Sequence, residues 1–141
     1  MSKYIPGYGP LGAKIMIVGE CPTPRDVLAG RPFSDNRALD DLLREAGIQK
    51  SQCWLTTVSK FHVPPSPKTT GYKTPFYIRA KNAGINVEQQ VIELQSEVNS
   101  LKPNLIIGIG RTAMKHITGK KDIDDYRGSI LSGMGRKFLG T

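Results

Sequence analysis

The chain has 141 residues, which is the length of one domain. It contains 20 Lys and Arg against 12 Asp and Glu, which gives a formal charge of +8. This charge favours a polyanionic partner such as nucleic acid over an acidic membrane. Its two cysteines, Cys21 and Cys53, exclude a zinc knuckle or an iron-sulfur cluster built from the cysteines of this chain alone, so we predict no metal and no cofactor. No apolar run reaches the roughly 20 residues that span a bilayer, and the polar start lacks a secretory signal, which predicts a cytoplasmic protein.

The first predicted element is a central strand that ends beside a carboxylate. Residues 15–18 are apolar on both alternating faces, which is typical of a parallel strand covered by helices on both sides. Gly19 ends the strand and Glu20 follows at its carboxyl end, where open α/β sheets bind their ligands. A proline-stiffened turn and a Gly-Arg-Pro-Phe segment come next. We therefore expect Glu20 and the ring of Phe33 to lie together, beside a flat polar group such as a base.

The second predicted unit is a helix followed by a strand. Ser34 or Asp35 is expected to cap the helix and Gly47 to end it. Its apolar positions recur at helical spacing and are Ala38, Leu39, Leu42, Leu43 and Ala46. Residues 53–58 then have the composition of a strand.

A long loop and a second helix follow this strand. The stretch 61–75 contains four prolines and is rich in lysine, so it predicts a basic loop without regular structure. Residues 87–101 carry apolar side chains at helical spacing, with Asn86 as the expected cap and Pro103 just beyond the end.

The last predicted elements complete an alternating pattern. Residues 105–109 form the third predicted strand, and a helix opens at Gly110 and ends at Gly119. A basic, flexible tail is expected from Lys120 onward. The order β-α-β-α-β-α predicts an α/β fold, a three-layer α/β/α sandwich around a short central parallel sheet with right-handed crossovers.

Motifs in a fixed order extend over nearly the whole chain. They begin with the strand that leads into Gly19 and Glu20 and continue with the Gly-Arg-Pro-Phe segment. The further motifs are the segments 36–47, 54–60 with 63–65, 101–107, 108–113 and 127–128. In this order and spacing they resemble the uracil-DNA glycosylase superfamily, most closely family four and the glycosylase-like domains fused to certain phage DNA polymerases.

This resemblance implies hydrolysis of the N-glycosidic bond of a uracil that is flipped out of DNA, through an oxocarbenium-like sugar. Glu20 is implied as the catalytic residue that orients the attacking water. The implied base-binding residues are Gly19, Cys21, Phe33 and Thr57, with Phe33 stacking on the base. The implied DNA-binding residues are Arg31, Lys60, Lys68, Lys73, Gly110 and Arg111.

The sequence departs from the family pattern at three places. Thr57 occupies a position where the family strand usually carries Asn to read the uracil edge. Family four places iron-sulfur cysteines near the N-terminus and after the residue equivalent to Lys60, where this chain has Phe61. The segment 137–141 resembles the strand that leads to the family's His-Pro-Ser motif, so we expect a C-terminally incomplete domain whose exposed sheet edge can form homo-oligomers.

Two functional hypotheses follow for this chain. The first is a DNA glycosylase that acts on uracil in DNA. The second is a non-catalytic DNA- or partner-binding module, or the N-terminal part of a phage replication protein such as a DNA polymerase, located in the host cytoplasm. A nucleotide-binding enzyme of Rossmann topology fits less well, because the first strand is not followed by a Gly-x-Gly-x-x-Gly turn.

Plainer structural roles remain open for individual residues. Phe33 can be a core aromatic that anchors its loop. Glu20 can be a capping carboxylate or form an ion pair with the nearby Arg31. His116 is expected on a solvated helix face, and Cys21 is expected to be a packed thiol without an activating partner.

Overall fold

The computed structural model describes residues 3–66 and 74–141, which fold into a five-stranded sheet with helices on both faces. The strands are β1 (Ile15–Gly19), β2 (Trp54–Thr57), β3 (Leu105–Gly108), β4 (Ile130–Gly133) and β5 (Arg136–Gly140). The helices are α1 (Pro24–Ala29), α2 (Arg37–Glu45), α3 (Phe76–Asn82), α4 (Val87–Leu101), α5 (Arg111–Thr118) and α6 (Ile123–Tyr126). A short 3-10 turn at Lys50–Gln52 leads into β2.

The strand order of the sheet is β2-β1-β3-β5-β4. β1 lies parallel to β2 and β3, and β3 lies parallel to β5. β4 pairs antiparallel with β5, because the two strands are joined by a tight turn at Met134 and Gly135, a connection open only to antiparallel neighbours. The predicted parallel sheet is therefore confirmed for four strands and corrected at the edge, where the sheet is mixed.

The central strand β1 supplies side chains to two separate cores. Met16 and Val18 pack on one face of the sheet with Leu94 of α4 and other residues of α4 and α5. Ile17 packs on the opposite face with Leu39 of α2. All three β1 side chains are fully buried. This two-sided burial explains why the strand is apolar at successive positions, and it confirms the three-layer α/β/α sandwich.

Local capping determines where the predicted helices begin. Asn86 caps α4 as predicted, accepting a hydrogen bond from the backbone N–H of Gln89 at 3.1 Å. α2 is capped by Asn36 instead of Ser34 or Asp35. The reason is that the Ser34 hydroxyl donates to Asp26 and the Asp35 carboxylate pairs with Arg25, so neither side chain serves the helix.

Two helices that follow prolines, α1 and α3, are absent from the predicted elements. α1 begins at Pro24, since proline is well tolerated at the first helical position, and Thr23 and Asp26 form a reciprocal capping box. The spacing Thr-x-x-Asp is the sequence signal that predicts this helix start. α3 begins directly after Pro75 and buries Phe76 and Ala80. The predicted loop therefore ends at Pro75 as expected, and α3 is a helix that the sequence patterns did not predict.

The prediction of a flexible tail from Lys120 is wrong. The chain forms α6 and the β4–β5 hairpin in this region, and Phe138 of β5 is fully buried in the core with α4 and α5. The strand predicted at the end of the chain is confirmed as β5. Its outer edge is covered by β4, on which Ile130 is 61% exposed. Homo-oligomer formation through the sheet edge stays a prediction.

None of the helices within the described ranges combines the length and the apolar character that crossing a bilayer needs.

Candidate active site

The four parallel strands place their carboxyl ends along one side of the molecule, which we call the carboxyl edge. Gly19 of β1 is the register partner of Thr57 of β2, and Gly108 of β3 is the register partner of Gly140 of β5. The loops after β1 and β2 and the start of α5 therefore meet along this edge. Most of the residues predicted for the site lie in these loops.

Glu20 follows β1 directly and accepts one hydrogen bond at each carboxylate oxygen. Nη2 of Arg79 donates to Oε1 at 2.9 Å, and Oγ1 of Thr112 donates to Oε2 at 2.7 Å. The two donors belong to α3 and α5, so the carboxylate is oriented from two sides. Its side chain is 36% exposed, and each oxygen keeps a lone pair for a water molecule or a ligand.

Arg79 is a site residue that sequence reasoning did not identify. Besides Glu20, its guanidinium donates from Nε to the carbonyl of Thr74 at 3.1 Å and from Nη1 to the carbonyl of Pro64 at 3.0 Å. The side chain is 16% exposed, and its Cζ lies 5.7 Å from the ring centroid of Phe76. The planar fork of an arginine suits this set of acceptors, which joins α3 to the end of β1 and to the chain on both sides of residues 67–73. The predicted ion pair of Glu20 thus exists, but its partner is not Arg31.

Asp26 holds the Gly-Arg-Pro-Phe segment in place. Its buried carboxylate accepts hydrogen bonds from the backbone N–H groups of Thr23, Phe33 and Ser34 at 3.1, 3.2 and 3.0 Å, and from the Ser34 hydroxyl at 2.6 Å. These donors offset the unfavourable desolvation of a buried carboxylate. One side chain therefore fixes both the start of α1 and the position of Phe33.

The ring of Phe33 lies directly against the backbone of Gly19. A Cβ at position 19 would approach ring Cζ to 2.7 Å, so only glycine permits this contact. Phe33 has a φ of +52°, an unfavourable value for an aromatic residue, and Lys50 Nζ helps to hold it by donating to the Phe33 carbonyl at 2.6 Å. The side chain is 9% exposed and packs with the apolar cluster that contains Ile17. Phe33 is therefore a core anchor whose ring also borders the carboxyl edge.

Thr57 lies beside Gly19, so three of the four predicted base-binding residues come together. Its side chain is buried, and its hydroxyl donates to the carbonyl of Ser59 at 2.6 Å. Because the hydroxyl proton is used in this bond, Thr57 offers a ligand an acceptor oxygen and not the donor and acceptor pair of an amide.

Cys21 packs in a different place from the other predicted base-binding residues. Its Sγ lies 3.9 Å from the carbonyl of Val63, in a small cluster with Phe76 and Ala80. Burial raises the pKa of the Cys21 thiol to about 11. The side chain is therefore a packed, neutral thiol at physiological pH, and it is separate from the cluster that holds Phe33.

The prediction that Lys60 binds DNA is corrected by its burial. Its side chain is 4% exposed, and Nζ pairs with the Glu97 carboxylate at 3.0 Å and donates to the Thr57 carbonyl at 2.7 Å. Trp54 Nε1 and the Thr56 hydroxyl also donate to Glu97, at 2.6 and 3.0 Å. Sequence patterning could not show this because Glu97 lies on α4, far along the chain. Lys60 is a structural residue that joins β2 to α4.

The other predicted phosphate-binding residues lie at the surface or outside the described ranges. Arg31 is exposed, and its Cζ lies 5.3 Å from the ring centroid of Tyr8. Arg111 begins α5 after Gly110; its side chain is 74% exposed and lies 4.0 Å from Asp124. Their contacts with DNA stay predictions. The remaining two, Lys68 and Lys73, lie outside the described residues.

A cleft of about 550 Å³ lies between α3 and α5 and contains Glu20 in its lining. His116 lines it too, and its ring packs edge-on against Phe76 with the centroids 6.4 Å apart. Burial, followed by the charge of Lys115, lowers the pKa of His116. The prediction of a solvated histidine is therefore wrong: His116 is a half-buried, neutral wall of this cleft.

Comparison with known proteins agrees with this arrangement of strands and loops. Residues 6–138 match the family described as the uracil DNA glycosylase superfamily. Because this match covers nearly the whole chain, the protein belongs to that superfamily.

Within the superfamily, the chain is similar to proteins named type-4 uracil-DNA glycosylase. It is 30% identical to the protein of Thermotoga maritima over 143 residues, which cover 96% of this chain and 66% of the relative. It is 26% identical to the Archaeoglobus fulgidus protein, with 87% of this chain and 56% of the relative covered, and 27% identical to that of Pyrobaculum aerophilum, with 92% and 63% covered. The chain thus spans between 56% and 66% of the length of these relatives.

The residues present do not fit the iron-sulfur cluster that the family-four pattern implies. Cys21 and Cys53 lie in different apolar clusters, and burial raises the pKa of both thiols, which disfavours the thiolate that binds metal. Phe61 stands where a cluster cysteine is expected, and its ring packs edge-on against Tyr4 at a centroid distance of 5.4 Å. Across residues 3–66 and 74–141, no group of three or more His, Cys, Asp or Glu side chains is arranged to hold a metal ion.

Proposed function

We propose that this chain is a DNA-binding glycosylase domain that hydrolyses the N-glycosidic bond of a uracil flipped out of DNA. The observation that carries the proposal is the contact of Gly19 with Phe33 and Thr57 at the carboxyl edge, directly before the oriented carboxylate of Glu20 in the chain. The choice of uracil rests on the names of the relatives. The choice of DNA also agrees with the formal charge of +8.

Base recognition in this proposal combines stacking with a single polar contact. Extruding a base has an unfavourable free energy of a few kcal/mol, and stacking against an aromatic ring contributes about 1–3 kcal/mol in return. Phe33 supplies the ring, and its unusual backbone conformation is held before any ligand binds. Thr57 supplies an acceptor for one N–H group of the base edge. Asp26 supports the stacking indirectly, since it keeps the Phe33 loop in position.

Hydrolysis then requires a water molecule held against the sugar. In this proposal Glu20 accepts a hydrogen bond from that water through a lone pair that neither Arg79 nor Thr112 uses. The water oxygen bonds to C1′ while the C1′–N1 bond breaks, and the uracil leaves with the electron pair. The proton of the water passes to Glu20 and on to solvent. The negative charge of Glu20 also stabilises the positive charge that develops on the sugar.

A non-catalytic DNA-binding module is the second candidate. The observation that favours it is the Thr57 hydroxyl, which already donates to Ser59 and cannot replace the paired contacts of an asparagine. A polymerase or another replication protein as partner has no support among the described residues and belongs to neither proposal.

The decisive experiment is release of uracil from labelled single- and double-stranded oligonucleotides in single turnover, with the protein in excess. We expect Phe33→Ala to lower the rate of release about 10- to 100-fold, because base-aromatic stacking contributes about 1–3 kcal/mol. Leu43→Ala is the matched control, since Leu43 belongs to the same apolar cluster but lies on α2. It should lower stability and leave the rate nearly unchanged.

Two results would count against the glycosylase proposal. Equal rates for Phe33→Ala and Leu43→Ala would remove Phe33 from the base site. No release by the unaltered chain, together with salt-sensitive binding to the same strands, would instead support the non-catalytic module.

A further inference from the structure

The cleft between α3 and α5 contains a concentration of positive charge that the proposed base site does not use. The cationic side chains in its lining are Arg79, Arg111, Lys115 and Lys121. Glu20 is the acidic residue of this lining, and its charge is balanced by Arg79. The net charge around the cleft is therefore strongly positive.

Lys115 and Lys121 are the cations best suited to an external ligand. Among the described residues, no carboxylate lies within ion-pair distance, 4.0 Å, of either ammonium group. Arg111 is 4.0 Å from Asp124, but both side chains are mostly exposed, so this pair is weak. His116 is neutral at physiological pH and adds a polar wall without charge.

The ring of Tyr77 fixes the position of Lys115 within the cleft. Lys115 Nζ lies 5.2 Å from the ring centroid, and the two side chains come from the opposite walls, α5 and α3. Tyr77 is 51% exposed although it is aromatic. A positive groove with an accessible aromatic ring is the arrangement that proteins use to bind single-stranded nucleic acid.

We propose that this cleft binds internal phosphate groups of the DNA strand that continues from the flipped nucleotide, with Lys115 and Lys121 as the contact residues. The inference rests on the proposed function, because Glu20 is part of both the cleft and the proposed active site. Arg111 and Lys115 are one helical turn apart, about 6 Å along α5, and thus lie on one face of the helix. The strand would pass from Arg111 to Lys115 and leave the cleft at Lys121.

The test uses a single-stranded oligonucleotide without uracil, so that binding is measured independently of base release. Binding is followed by fluorescence anisotropy over a series of salt concentrations for the unaltered chain and for Lys115→Gln/Lys121→Gln. We expect the double variant to reduce the slope of log K against log salt by about 1.4, since each phosphate contact contributes about 0.7 on single strands. Lys14→Gln is the matched control, because Lys14 is exposed and precedes β1 at the opposite end of the strands.

A second arm distinguishes internal from terminal phosphates. Single linkages of the oligonucleotide are replaced in turn by neutral methylphosphonates, and oligonucleotides with and without a 5′-phosphate are compared. We expect at least one internal replacement to weaken binding by the unaltered chain about 5- to 10-fold and to have little effect on the double variant.

Any of three results overturns the proposal. In the first, the double variant has the same salt slope as Lys14→Gln. In the second, every replaced linkage weakens binding equally in the unaltered chain and the double variant, and in the third, binding is weakened only by removal of the terminal phosphate. These results leave the glycosylase proposal standing if uracil is still released. Conversely, absence of release with the expected change in slope contradicts only the glycosylase proposal.

Discussion

Two ion pairs of this protein contain a glutamate, and they differ in exposure and in their expected role. The Lys60–Glu97 pair is almost completely enclosed, with side chains 4% and 14% exposed. The Glu20–Arg79 pair lies in a cleft, with the glutamate 36% exposed. Both join a residue at the end of a strand to a helix that follows later in the chain. The carboxylate of the first pair is bonded by Lys60, Trp54 and Thr56, whereas that of the second lines an open cleft.

This difference shows that a positive charge alone does not identify the residues that bind DNA. Lys60 follows β2 at the carboxyl edge, so position predicts a phosphate contact, yet its ammonium is used by Glu97 and the Thr57 carbonyl. Arg79 follows a proline-rich segment and belongs to none of the sequence motifs, yet it orients the proposed catalytic carboxylate. Burial and the identity of the partner decide the role.

The largest expected effect comes from breaking the enclosed pair. Lys60→Met leaves the Glu97 carboxylate buried without its cation, and we expect the free energy of unfolding to fall by about 3–5 kcal/mol. Urea denaturation with an unchanged m value measures this loss.

A double variant tests whether the uncompensated charge is the cause of that loss. Lys60→Met/Glu97→Gln removes both charges but keeps an acceptor for the Trp54 and Thr56 donors. It should recover most of the stability. A loss below about 1 kcal/mol in the single variant would show that the pair behaves like an exposed one.

An intermediate effect is expected from the pair in the cleft. Arg79→Lys keeps the positive charge but cannot reach Glu20, Thr74 and Pro64 with one ammonium group. We expect the maximal rate of uracil release to fall about 10- to 100-fold, because a misplaced catalytic group has effects of that size. The protein concentration at half-maximal rate should change little, as expected for a positioning residue.

Arg44→Lys is the control for the cleft variant, since Arg44 forms an exposed pair with Asp41 on α2. It should behave like the unaltered chain. A change in DNA affinity without a change in maximal rate would assign Arg79 to DNA binding, and it would contradict the positioning role.

The smallest expected effect is on Cys21, which reports on the charge of its neighbours. Its pKa is raised to about 11, chiefly by burial; the contact with the Val63 carbonyl lowers the pKa, Glu20 raises it and Arg79 lowers it. In a Cys53→Ala background, a pKa near 11 in place of the ordinary 9.0 leaves about 100-fold less reactive thiolate at pH 8. Alkylation of Cys21 in the folded chain should therefore be slow, and its rate should keep rising above pH 9. In the chain unfolded by urea, the rate should level off above the ordinary thiol pKa of 9.0.

Removing the charge of Arg79 sharpens this measurement. Arg79→Gln should slow the alkylation of Cys21 by a further few-fold, whereas Arg79→Lys should not. Equal rates in both variants would indicate that the guanidinium charge does not reach the thiol.

The parts of the fold that sequence patterns predicted are those with local causes. β1 is predicted by its own apolar run, and α4 by its helical periodicity and the adjacent cap Asn86. α1 is missed because Pro22 and Pro24 favour a turn, whereas the capping box of Thr23 and Asp26 starts a helix there. The hairpin of β4 and β5 is missed in part because its glycines and basic residues resemble a flexible tail. The burial of Phe138 depends on contacts with α5, which the local sequence does not show.

The candidate site was predicted only where its residues are close in the chain or carried by the family resemblance. Gly19, Glu20 and Phe33 belong to one continuous segment, and the ring of Phe33 contacts Gly19 in the structure. The bond from Arg79 to Glu20 joins positions 59 apart, and that from Thr112 joins positions 92 apart. No periodicity connects such positions, because the contact is created by the packing of α3 and α5.

The buried carboxylate of Asp26 makes the proposed base site dependent on the first helix. It caps α1 and also holds the backbone of Phe33 and Ser34. Fraying of the helix would therefore remove hydrogen bonds that hold the Phe33 backbone, and we expect the pocket wall and the helix to open as one cooperative unit. A base that stacks on Phe33 would in turn protect the amides of α1 from hydrogen exchange with solvent. Ligand binding at the carboxyl edge would thus stabilise a helix that the ligand does not contact.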